Sequence, residues 1–174
     1  MKPTALLLAF AFGVAVIPSV SHTAPAEPLS RNVIQTGMVK GYDTETMKEV
    51  LESIKVEAEE DEEVGGLVFK HAGWEGKVFA YNEDGEILDL GDPDATFCMM
   101  QVGKAIDEDD MDLSAINQFN WDSHWVRAYY NDESEIFVEM DIELSGGMTQ
   151  ANLKRTAQNF IEAVDSAEAS FFGE

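Results

Sequence analysis

The stretch from Leu113 to Phe172, LSAINQFNWDSHWVRAYYNDESEIFVEMDIELSGGMTQANLKRTAQNFIEAVDSAEASFF, decides the fold. LSAINQFNW has helical spacing, VRAYY and IFVEMDIEL read as antiparallel strands, and a long amphipathic helix follows the turn at Gly146 and Gly147. In the second strand Ile136, Val138, Met140, Ile142 and Leu144 fall on one face, and Phe137, Glu139, Asp141 and Glu143 on the other. A period of two belongs to a sheet with one buried and one wetter side. The last helix supplies the cover: Thr149 stands at its N-cap, and Leu153, Ala157, Phe160, Ile161, Val164 and Phe171 form its apolar stripe.

With Asn131 to Glu135 as the loop, the hairpin pairs Tyr130 with Ile136, Ala128 with Val138 and Val126 with Met140 on the core face. The other face then pairs Tyr129 with Phe137, Arg127 with Glu139 and Trp125 with Asp141. This has two readings. Arg127 and Glu139 form a surface ion pair worth little, or Trp125, Arg127, Tyr129, Glu139 and Asp141 form a patch that receives a partner, since aromatics and Arg are the usual interface anchors.

The INQFNWDSHWVRAYY block, the strand EIFVEMDIELSGGMT and then NFIEAV, within Ile116 to Phe172, resemble the YbjN-domain family of bacterial sensory transduction regulators. The resemblance lies in an IN-x-(F/W)-N helix, an RAY strand, an (E)MD strand and a Gly-Gly turn, with weaker similarity back to about Val33. It implies a fold like that of type III secretion chaperones, a curved antiparallel sheet flanked by helices. It implies no reaction and no catalytic residues, and a homodimer would fit it.

Upstream, Met47, Val50, Leu51 and Ile54 repeat at helical spacing behind a cap at Asp43 or Thr44. VEAEEDEEVGG begins as an edge strand whose acids deter unwanted pairing and becomes a turn at Gly65 and Gly66. GLVFKHA and KVFAYNE read as strands separated by an aromatic turn from Ala72 to Gly76. Asp84 and Gly85 mark another turn, Ile87 to Leu90 fits a short strand or a loop, and TFCMMQVGKAI, apolar on both faces, reads as a central strand. The expected class is α+β, an antiparallel sheet of about five or six strands flanked by helices.

Residues 1–26 have the order of a secretory signal peptide: Lys2, the apolar run from Ala5 to Ile17, then Pro18 and small residues. A buried N-terminal helix is the competing reading. Cleavage fits after Ser21 or after Ala26; residues 27–41 then read as a linker and 42–174 as the domain. The apolar run is too short, and lacks the following positive cluster, for a membrane anchor. The expectation is a periplasmic or secreted protein with no membrane span after the leader is removed.

A formal net charge of −23 excludes a phosphate-backbone binder. It favours cationic peptides, basic protein patches or metal cations as partners, with a solubility coat as the plainer explanation. Cys98, the only cysteine, sits in an apolar run and reads as a buried small hydrophobe. His22, His71 and His124 are too scattered for a metal site, although a free amine at His22 after cleavage at Ser21 would allow copper binding. Asp107, Glu108, Asp109, Asp110 and Asp112 are dense enough to interest calcium. The EF-hand spacing fails there, with Ala115 and Trp121 where Gly and Glu are required, and Asp112 reads more simply as a helix cap.

No GxSxG, Walker or dinucleotide fingerprint is present, and no cofactor is implied. The expected function is therefore a non-enzymatic binding or regulatory module acting through a protein partner. The alternatives are an enzyme, such as a hydrolase, using acids in a cleft, and a cation-binding accessory protein.

Overall fold

The computed structural model describes residues 38–39, 41–107, 110 and 112–173. The leader and both cleavage positions, His22, the linker before Met38, and Glu108 and Asp109 lie outside the described residues. The elements, in order, are β1 (Met38–Val39), α1 (Thr44–Ser53), β2 (Ala58–Asp61), β3 (Gly66–His71), β4 (Trp74–Tyr81), β5 (Ile87–Leu88), β6 (Phe97–Ala105), α2 (Leu113–Asp122), β7 (Arg127–Tyr130), β8 (Glu135–Glu143), β9 (Met148–Thr149) and α3 (Gln150–Phe172).

The main sheet is antiparallel, in the order β2-β3-β4-β6-β8-β7, with β5 paired to β4 as a seventh strand. The segment from Ile87 is thus a short strand of two residues. A separate ribbon pairs Met38 with Thr149 and Val39 with Met148. β6 is central, as its apolar faces require, and Cys98 within it is fully buried.

Helix ends follow side-chain chemistry. Asp43 accepts from the Thr46 amide at 2.6 Å, Asp112 from Ser114 at 2.8 Å and Thr149 from Asn152 at 3.2 Å. Each cap satisfies an amide that the first helical turn leaves without a partner. α3 buries Leu153, Ala157, Phe160, Ile161, Val164 and also Ala167, against Ile136, Val138, Met140 and Ile142 of β8 in one core. Burying each larger aliphatic or aromatic side chain contributes about 1.5–3 kcal/mol.

The far half of α3 is tied down by polar groups. Glu168 accepts from Trp74 Nε1 at 2.9 Å and from Lys104 Nζ at 2.7 Å, while Asp165 lies 2.7 Å from His71. The Lys104 ammonium also sits 4.0 Å from the centre of the Phe172 ring. α1 packs on α3, and Phe119 of α2 meets Phe171 edge-on at 5.3 Å, so all three helices share one side of the sheet.

Two expectations need correction. The turn between β3 and β4 is not Ala72 to Gly76 but Ala72 and Gly73, with φ of 50° and 83°; positive φ at both positions suits a two-residue hairpin, so Trp74, Glu75 and Gly76 join the strand. In the last hairpin Tyr130↔Ile136, Ala128↔Val138, Tyr129↔Phe137 and Arg127↔Glu139 pair as expected, but the ladder starts at Arg127, leaving Trp125 and Val126 unpaired. There the chain is still turning out of α2.

β7 is an edge strand, and the outward backbone groups of Ala128 at its middle are occupied. Asn120 Oδ1 accepts from the Ala128 amide at 2.7 Å, and Asn120 Nδ2 donates to the Ala128 carbonyl at 2.8 Å. One carboxamide thus does what a neighbouring strand would do.

Candidate partner-binding surface

On the helix-free side of the sheet, Lys77, Gln101, Glu139 and Arg127 are successive partners across β4, β6, β8 and β7. Expected on the wetter side, Glu139 is instead buried, at 5% exposure. Its neighbours explain why a carboxylate is tolerated there. Arg127 Nε donates to Glu139 Oε1, Gln101 Nε2 donates to Oε2 at 2.9 Å, and the Tyr129 hydroxyl donates to Oε2 at 3.1 Å. A buried carboxylate stays in place when its lone pairs are filled and a cation faces it.

The network extends along β8. Arg127 Nη1 forms an ion pair with Asp141 Oδ2 at 3.1 Å, and the Tyr81 hydroxyl donates to Asp141 Oδ1 at 2.6 Å. Aromatic pairs frame it: Tyr129 stacks on Phe137 at 5.4 Å and Tyr81 on Phe97 at 5.3 Å. Gly103 makes room for the first pair, since a Cβ there would fall 2.7 Å from the Phe137 ring.

Hydrogen bonding to Glu139 holds the Arg127 guanidinium above its ordinary pKa. Burial, then the charge of Glu139, pushes the Tyr129 phenol up to about 12. Burial, then the bond to Asp141, raises Tyr81 as well. Both phenols therefore remain neutral donors near pH 7, where they orient carboxylates and do not act as bases. The arrangement is a fixed array of charges, donors and ring faces, suited to recognition.

Of the residues expected here, Arg127, Tyr129, Glu139 and Asp141 come together. Trp125 stands to one side at 78% exposure, lining a groove of about 600 Å³ with Asp141, Met148, Arg155 and Asn159. Sequence reasoning missed Gln101 and Tyr81. Gln101 left a signal as the one amide in TFCMMQV. Asp107, Asp110 and Asp112 are exposed, Asp112 serves as a cap, and among the described residues no group of three or more His, Cys, Asp or Glu is placed to hold a metal ion. No helix among them is long and apolar enough to cross a membrane.

Fold and surface together define an α+β domain: an open antiparallel sheet with helices on one face and an ordered polar and aromatic surface on the other. Residues 43–172 match the family model for YbjN, described as "Putative bacterial sensory transduction regulator". The chain belongs to the YbjN family. It is similar in fold to the crystal structure of "YbjN, a putative transcription regulator from E. coli", at 16% identity and a TM-score of 0.53, covering 72% of this chain and 89% of that one. No curated protein matches it.

Proposed function

We propose that this protein is an exported, non-enzymatic regulatory module that acts by binding a protein partner on the helix-free side of its sheet. The observation that carries the reading is the pinned array of Arg127, Glu139, Asp141 and Tyr129 beside exposed Trp125. Arg and aromatic side chains held rigidly lose little freedom on binding, which is what interface anchors need. The net charge of −23 favours a partner whose docking face is basic. Export is supported by the charged, apolar, small-residue order of residues 1–26.

Affinity capture from periplasmic extract by the protein and by its Arg127→Ala and Trp125→Ala forms tests the reading, with thermal melting to show that each variant is folded. Loss of the captured partner from folded variants is the expected result. Equal capture by all three would remove this surface from consideration. Fractionation of the producing cells tests export.

A further inference from the structure

The two ends of the main sheet differ. Asn120 caps β7 at Ala128, whereas β2 is paired only with β3 and has no such side-chain cap, leaving alternate backbone N–H and C=O groups without a strand partner among the described residues. The segment containing β2 carries Glu57, Glu59, Glu60, Asp61, Glu62 and Glu63. Such an edge is selective. A second copy would set the same acids against themselves, while a strand bearing Lys or Arg is attracted.

Concavities flank β2 on both sides. One, of about 520 Å³, is lined by Glu57, Glu59, Val68 and Lys70, with Lys70 already 3.1 Å from Glu75. The other, of about 540 Å³, lies towards α1 and is lined by Lys48, Glu52 and Lys55 and again by Glu57 and Glu59. An added strand sends alternate side chains to opposite faces and hydrogen-bonds along the edge between them. Glu57 and Glu59 are exposed and alternate with buried Ala58, so both point to the face opposite the core, and neither has an ion-pair partner among the described residues; cations therefore belong on that face, at every second position.

We infer that β2 takes up an extended segment of a protein partner, with Lys or Arg at alternate positions, as an additional strand. This rests on the reading of the chain as a partner-binding module and adds a second contact at the far end of its sheet.

The test uses a labelled peptide of alternating Lys and Thr, followed by fluorescence anisotropy, and its counterpart with the central backbone amides N-methylated. The peptide should bind, with amide shifts in ¹⁵N spectra centred on Ala58–Asp61. N-methylation of the peptide, or the paired change Glu57→Lys and Glu59→Lys in the protein, should each weaken it at least tenfold, while Glu162→Ala on the exposed side of α3 changes nothing. Failure to bind, equal binding of the N-methylated peptide, or shifts away from β2 would overturn the inference. Sensitivity to Arg127→Ala alone would also overturn it and would move the segment to the helix-free face, leaving the partner-binding reading intact.

Discussion

The side-chain carboxamide of Asn120 pairs with both backbone polar groups of Ala128, at 2.7 and 2.8 Å, so a residue near the end of α2 blocks the open side of β7 at its middle. It links the INQFN helix to the RAY strand through a contact eight residues apart. Asn120→Ala should cost about 1–3 kcal/mol by orphaning these groups. It should also free a strand edge. Denaturant unfolding and sedimentation velocity check both effects: the variant is expected to be less stable and to self-associate, whereas Glu162→Ala on the exposed side of α3 should do neither.

Removing Arg127 leaves buried Glu139 with Gln101 and Tyr129 but no cation. Because the guanidinium is more than half exposed, the expected loss for Arg127→Ala is about 1–2 kcal/mol, less than for a fully buried pair. The double variant Arg127→Ala with Glu139→Gln should recover part of it. Chemical denaturation of the four forms of this cycle measures the coupling.

Much of the last hairpin was legible in the sequence because a strict period of two and a five-residue loop leave one register that buries Ile136, Val138 and Met140. The burial of Glu139 was not. It depends on Gln101, which β6 brings from 38 residues away, and strand periodicity assigns a face without saying what stands on it. Asn120 could be read as part of a pattern, but its partner became visible only when the chain had turned back on itself. At Ala72 the aromatic content of the next residues obscured a turn set by two positive φ angles.

Burial pushes the Cys98 thiol up to about 12 from an ordinary 9.0. The native protein should therefore resist iodoacetamide at about pH 8 and react once unfolded. A thiol that holds its proton longer when folded contributes stability below the ordinary thiol value and loses it as pH rises from there towards 12. Cys98→Ala should flatten that alkaline decline in urea titrations.

The Tyr42 side chain is fully buried and its hydroxyl has no hydrogen-bond partner among the described residues. Tyr42→Phe removes that unsatisfied oxygen while keeping the ring, and should leave the melting temperature unchanged or higher. Burial also raises the Tyr42 pKa, so the variant should lose less stability in alkali. Calorimetry at neutral and alkaline pH reads both effects.

Trp74 is buried against Glu168 and Phe172, while Trp121 and Trp125 are 83% and 78% exposed. Acrylamide should quench a major, red-shifted part of the emission and spare a blue-shifted part from Trp74. Glu168→Ala strips partners from both Trp74 and Lys104, and should cost about 2–3 kcal/mol and make the spared component quenchable.

The most direct test of a partner on the helix-free face is hydrogen exchange on the complex formed with a captured, purified partner, compared with the free protein. New protection is expected in β7 and in the part of β8 around Glu139 and Asp141, with α1 and the exposed side of α3 unchanged. Protection confined to the helices, with β7 and β8 exchanging as in the free protein, would contradict it.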